Sequence, residues 1–261
     1  FAHGSFLTLA AFTGWAIARR LGPDSWGSFA LAVVAGAVVG AVFAAATELV
    51  LVRPLYKRHI EQVLVTVGLA LATVALFEGI WGPDPIFISG PAWMSQVTVI
   101  AGAPIPNDRF VSIAVAVVVL LAIVAFLNRT RYGLIIRAGV ENRAMVTALG
   151  IDVRKAFTLV FSIGGAAAGI GGVLASQYFG YVSPALGASL LIFAFIVTVI
   201  GGLGSLAGAA IASVVVAVLQ QFANYYWSVG DFIVVLLLAA ALFAPRLATH
   251  QPNRQDFRAV L

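Results

Sequence analysis

The sequence predicts an all-α, polytopic transmembrane helical bundle with about eight membrane segments. Three observations predict it. The 261 residues are 62% hydrophobic and 10% charged, with a mean hydropathy of +1.05, whereas a soluble domain is about half apolar and about a quarter charged. Apolar runs long enough for a bilayer core of ~30 Å recur along the whole chain. These runs are continuous and rich in Ala, Leu, Val and Gly. They do not alternate in polarity over ~10-residue strands, so helices rather than a barrel satisfy the backbone in lipid.

The segments fall at about 4–18, 28–50, 62–81, 110–127, 156–177, 187–203, 206–226 and 230–245. The first begins almost at Phe1, so a further segment is expected before it. The second carries Gly36 and Gly40 at the spacing that lets helix backbones approach closely, as do Gly165/Gly169 and Gly204/Gly208. Near its cytoplasmic end stands Glu48, five residues before Arg53, placed to reach the interface or to pair with that arginine. The third ends with Glu78, either interfacial or on a transport path, since acids inside membranes are candidates for function. The loop 82–109 follows; Pro83, Pro85, Pro91, Pro104 and Pro106 forbid a long helix there, and QVTVIAG predicts a short strand or hairpin. The fifth segment holds the run GGAAAGIGG, residues 164–172, denser in glycine than packing alone requires and suited to a helix that slides or bends. The sixth and seventh are joined by GGLGSLAG, residues 201–208, a tight turn or an unwound stretch.

One crossing per segment puts 51–61, 128–155 and 246–261 on one side. These loops hold 12 of the 15 basic residues, leaving only Arg19, Arg20 and Arg109 opposite. The positive-inside bias makes the first side cytoplasmic, and a tilted or broken first segment would account for Arg19 and Arg20. The same placement beside spans excludes a nucleic-acid surface. The absence of cysteine excludes a disulfide framework and thiolate metal sites. His3, His59 and His250 lack metal-ligand spacing. No phosphate loop G-x-x-x-x-G-K-[ST] occurs, and Ser189 in GASL has no later membrane histidine as a base. The chain therefore reads as a single membrane domain, 1–261, without catalytic residues, metal or cofactor of its own.

Against this background the stretch RAGVENRAMVTALGIDVRKA, residues 137–156, is unusually charged. Val140, Ala144 and Ala148 recur at i, i+4 and i+8, flanked by Met145 and Leu149, which predicts a short amphipathic helix over 138–149. Glu141 falls in its first turn, and Arg143 and Thr147 lie elsewhere around it. Gly150 is placed as a left-handed C-cap with Ile151 behind it. Asp152 is placed as the N-cap of the next spanning helix. The residues alone leave two readings open: a helix lying on lipid, or a docking knob for a soluble partner.

The order of these motifs resembles the permease subunits of branched-chain amino acid ABC importers. RAGVENRAMVTALGIDVRKAFTLVFSIGGAAAGIGGVL resembles that family's cytoplasmic loop and following helix. FAHGSFLTLAAF resembles its NFAHGE-x-x-x-LGAY, VRPLYKR its RPLR segment, VTVGLAL its ATIGLSL, and WGPDP its FGPDP. FAFIVTVIGGLGSLAGAAIAS resembles its AF-x-A-x-VLGGLGS-x-PGA-x-x-GG. Ser5, Ala10 and Ala207 depart from the pattern, at positions that bear on the substrate, and urea and short-chain amide permeases share most of these motifs.

The resemblance implies a helix before Phe1 and a bacterial inner-membrane location. It implies a second homologous permease, two cytoplasmic subunits that bind ATP and Mg, and an extracytoplasmic substrate-binding protein. It makes 138–149 the coupling helix, with Ala138, Glu141, Asn142, Arg143, Ala144, Met145, Thr147, Ala148, Gly150 and Asp152 forming the contact and its rigid turn. The translocation path is expected along broken, glycine-rich elements. These are His3, Gly4 and Ser5; Thr66 and Gly68; and Gly201, Gly202, Gly204 and Ser205, with Glu78 near the outer mouth. The substrates implied are branched-chain or other hydrophobic amino acids. A stand-alone secondary transporter is the alternative, and would place coupling acids at the midplane.

Overall fold

The computed structural model describes residues 2–239, except 57, 101, 203, 228, 229, 231 and 233. Two compact units divide it, Phe1–Leu191 and Ile192–Leu261.

The first unit is built from α1 (His3–Leu21), α2 (Trp26–Thr47), α3 (His59–Trp81), α4 (Asp108–Arg129), α5 (Arg131–Glu141), α6 (Arg143–Ala148) and α7 (Val153–Phe179). It also holds the start of α8 (Leu186–Gly201). A π-helical turn, Glu48–Val52, and a 3-10 turn, Arg53–Leu55, extend α2 before the chain reverses into α3. Pro54 lacks the N–H that would continue the helix, and the chain turns there.

The core is the trio α1, α2 and α7, which share the most extensive contacts. Glycine makes this possible. A Cβ at Gly40 would overlap the carbonyl oxygen of Gly165, and one at Gly169 would overlap that of Gly36. The GxxxG pairs of α2 and α7 therefore face each other, backbone on backbone. Gly172 meets the backbone of Leu7 on α1 in the same way. Inside lipid, where apolar burial gives no preference for protein over acyl chain, this close packing is what associates helices. Phe6, buried, fills the space beside it with Phe43 and Phe161 edge-on at 5.5 and 6.0 Å.

The outer loop follows its sequence. β2 (Val97–Ile100) and β3 (Ala103–Pro106) form an antiparallel hairpin. Asn107 clamps its base, accepting from Thr98 Oγ1 at 2.5 Å and donating to the Trp93 carbonyl at 3.0 Å. A second pairing has no local signal: β1 (Ile86–Phe87) joins β4 (Tyr181–Val182), just past α7. It brings the chain just past α3 beside the chain just past α7.

Arg19 and Arg20 do not mark a broken helix. α1 runs unbroken to Leu21, and both arginines occupy its last turn, where cations complement the helix dipole. Arg19 also lies over the Trp15 ring at 5.5 Å.

Among the described residues, five helices are long and apolar enough to cross a membrane: Trp26–Leu55, Ile60–Trp81, Asp108–Arg129, Val153–Phe179 and Leu206–Tyr226. α1 is diluted by His3 and its arginines. α8, at 16 residues, rises only about 24 Å. The eighth expected segment, 230–245, lies partly outside the described residues, and the tail 246–261 wholly so.

In the second unit α8 ends at Gly201 and α9 (Leu206–Trp227) begins four residues after Gly202's turn opens, with Gly202 and Gly204 both at φ 91°. Ser205 accepts from the Gly208 N–H at 2.9 Å, capping α9, and the backbones of Gly201 and Gly208 touch. This is a helical hairpin turn. Gly204 and Gly208 are not a packing pair on one helix, because Gly204 lies in the turn. Ile196, Val216 and Val234 form this unit's core.

Candidate functional site at the cytoplasmic turn

The predicted helix 138–149 is two helices. α5 ends at Glu141, the chain kinks at Asn142 (φ −148°, ψ 89°), and α6 begins at Arg143. The cause is the Asn142 side chain, which accepts from the Met145 N–H at 3.0 Å. An asparagine offering its amide oxygen to the backbone starts a helix more readily than it continues one. Glu141 therefore closes a helix rather than opening one, and the stripe Val140, Ala144, Ala148 crosses the break.

The break leaves a different apolar surface. Val140 is 73% exposed, Met145 62% and Leu149 70%, while Ile136 and Val146 are buried. Asn142, Thr147, Ala148, Gly150 and Asp152 are also exposed, and Ala138 is half-buried. Of Glu141, Arg143 and Ala144 only the backbone position is described.

The turn into α7 is as expected. Gly150 has φ 78°. Its N–H donates to the Thr147 carbonyl at 3.0 Å, and the Ile151 N–H donates to that of Val146 at 3.3 Å, which is the Schellman pairing that lets α6 stop on a glycine. Asp152 then accepts from the Arg154 N–H at 3.0 Å and caps α7. α5 is held to the same lever, with Gly139 lying against Val153 and Phe157, so the exposed row is fixed to α7 at both ends.

Glu48 is the residue whose role the sequence did not show. It is 1% exposed and pairs with hydroxyls rather than with Arg53. Thr158 on α7 donates to its Oε2 at 2.6 Å, and the Tyr56 hydroxyl donates to its Oε1. Thr158 lies 110 residues away, and no local signal predicts the pairing. A π-helical turn surrounds Glu48, a feature frequent at functional positions. The carboxylate thus ties the α2–α3 corner to the first turns of α7.

The expected path residues are only partly brought together. His3 lies against the Phe6 and Phe161 rings at 5.2 and 5.3 Å, over Gly164. Gly4 packs on Gly187 of α8, and Ser5 is buried with no hydrogen-bond partner for its hydroxyl among the described residues. None of the three lies in a broken helix: α1 is regular from His3. Thr66 and Gly68 likewise sit inside the continuous α3. Thr66 bonds back to the Gln62 carbonyl, and Gly68 faces open space. Glu78 is exposed in the last turns of α3. Of the expected breaks, the one at Gly201 to Ser205 is present, within the second unit. The dense glycines of α7 are mostly accounted for: Gly164, Gly165, Gly169 and Gly172 each abut another helix, and Gly171 alone among them faces open space. No cluster of metal-binding side chains occurs among the described residues.

The glycine-packed helix α7 is thus preceded by a turn that exposes Val140, Met145 and Leu149. The family described as the permease component of branched-chain amino acid transport systems matches residues 1–244. The chain belongs to that family. It is similar to the high-affinity branched-chain amino acid transport permease LivH of Salmonella typhimurium, at 27% identity over 87% of this chain and 77% of that one. The probable permease LivH of Methanocaldococcus jannaschii is 26% identical, covering 94% and 81%. BraD of Pseudomonas aeruginosa is 27% identical, covering 94% and 83%. No solved structure matches. The chain is thus a multi-pass membrane permease.

Proposed function

We propose that the chain is the permease subunit of an ATP-driven importer, and that the exposed row Val140, Met145 and Leu149 is where a cytoplasmic ATP-binding subunit docks. The carrying observation is the combination of that exposed row with its rigid attachment to α7. The sequence of an exposed apolar surface, a Schellman turn and an Asp152 cap would transmit a push into a spanning helix. Exposed patches of this kind mark contact sites. ATP and Mg belong to the partner subunits in this reading, two in number, and a second permease completes the path from an extracytoplasmic binding protein in a bacterial inner membrane.

The substrate class is small zwitterionic or neutral polar molecules, branched-chain or other hydrophobic amino acids first, and urea or short-chain amides second. Support comes from the relatives' names and from the unpartnered Ser5 hydroxyl, which stands where the family pattern often has a carboxylate. Bare backbone at the 201–205 turn can hold charged substrate groups without a charged side chain.

The test is mild purification of the tagged full-length chain from its native membrane, with mass spectrometry of what accompanies it and uptake of labelled leucine and urea by the reconstituted assembly. A co-purifying ATPase carrying a phosphate loop, with ATP-dependent leucine uptake, is the expected result. A chain that purifies alone and moves solute down an ion gradient would overturn the reading.

A further inference from the structure

A cleft of about 770 Å³ opens on the cytoplasmic face between the corner after α2 and the turn before α7. One wall is Leu49, Arg53, Pro54, Tyr56 and Arg58; the other is Thr147 and Ile151 to Arg154. Three guanidiniums and a single carboxylate line it, and that carboxylate, Asp152, is already engaged with the α7 backbone. Arg58 is paired with Glu61 at 3.0 Å. Among the described residues neither Arg53 nor Arg154 is in a salt bridge, so two planar, permanently charged groups line one cavity whose single carboxylate is Asp152. Arginine suits the recognition of phosphate because its donors form a rigid fork.

The lining is amphipathic, and this selects among phosphates. Arg53 lies at the end of the span Trp26–Leu55, where hydrocarbon gives way to headgroups. Leu49, in the cleft wall, and Val50, next to it in the chain, are both exposed. A charged end at headgroup level beside apolar side chains at acyl level is the lining a phospholipid requires, and basic pockets at the cytoplasmic side of membrane helices bind anionic headgroups.

We propose that this cleft is a phosphate-binding site filled by the headgroup of an anionic phospholipid. The bound phosphate bridges Arg53 on the α2–α3 corner and Arg154 on the first turn of α7, spanning the two segments that Glu48 already joins from inside. Lipid composition therefore acts on the lever directly. No ATP-binding subunit is needed for the site to form.

Native mass spectrometry of the purified full chain in mixed micelles tests this. Phosphatidylglycerol and phosphatidylcholine serve as the lipids, and 10 mM inorganic phosphate (about that concentration, in excess of a weak site's occupancy) serves as the competitor. The expected result is retention of phosphatidylglycerol about tenfold or more above phosphatidylcholine. The preference is lost in the Arg53→Gln/Arg154→Gln double variant and kept in part by Arg53→Lys/Arg154→Lys, with inorganic phosphate displacing little. An unchanged elution profile and melting temperature of the Gln variant separates loss of the site from loss of the fold, and the single variants Arg53→Gln and Arg154→Gln, each expected to lower the preference, carry the test should the double variant fail to fold. Equal retention by the wild type and the Gln variant, or no preference between the two lipids, would overturn the site. Displacement by inorganic phosphate at the same arginines, without lipid preference, would overturn the headgroup as its occupant.

Discussion

Between α2 and α7 backbone meets backbone, whereas just before α7 begins Val140, Met145 and Leu149 stand exposed. The first region uses the smallest residues to exclude everything else. The second leaves large apolar side chains without a described partner. One covalent element joins them, so what binds the exposed turn acts on the locked interface. The comparison teaches where stability and function separate: substitutions between the helices should unfold the protein, while those on the turn should leave it folded and silent.

The largest effect belongs to the locked interface. Gly40→Leu drives a side chain into the Gly165 carbonyl, and overpacking of this kind costs about 1–3 kcal/mol or more. Loss of membrane-inserted, monodisperse protein in detergent is expected. A variant that melts like the wild type would show that α2 and α7 separate readily.

Glu48 comes next. Glu48→Ala removes the carboxylate that accepts from both the Tyr56 and Thr158 hydroxyls, and losing hydrogen bonds to a charged group costs about 1.5–3 kcal/mol. Thermal unfolding should show the drop, and Thr158→Ala should add little to it, because both changes remove the same bond. Full additivity of the two would contradict a shared contact.

Removing the cap sharpens the comparison. Asn142→Ala should cost about 1 kcal/mol and blur the kink between α5 and α6, with Asn142→Asp close to wild type. Uptake should fall further than stability does, since the cap sets the shape of the exposed row. The smallest effect on stability is expected from Met145→Ala, within about 0.5 kcal/mol as for other exposed positions, together with a several-fold loss of ATP-dependent uptake. Unchanged uptake would remove Met145 from the docking surface.

How much of this was legible in the sequence varies with the range of the interaction. The Gly150 to Asp152 turn was readable because its donors and acceptors lie within a few residues. The GxxxG pairs announced close packing, and only the structure shows that Gly36 and Gly40 face Gly169 and Gly165. The break at Asn142 was missed although its signal was present: an asparagine three residues before Met145 is a helix start, and the i, i+4 pattern of small residues concealed it. Glu48 looks like an interfacial acid in the sequence because its partner on α7 is remote, and the β1–β4 pairing is invisible there for the same reason. Thr66 and Gly68 were read as a break from glycine alone, whereas a single glycine inside an apolar run stays helical when the surrounding residues favour it.

The most direct measurement of the central claim uses the absence of cysteine from these 261 residues. A single Met145→Cys chain, fitted with a short photo-crosslinker in native membranes, reports what covers the turn. The account predicts a protein adduct containing an ATP-binding subunit, lost when the same crosslinker is moved to Leu71 on the exposed flank of α3. Adducts to lipid alone, with the thiol at Met145 still open to soluble reagents, would contradict it.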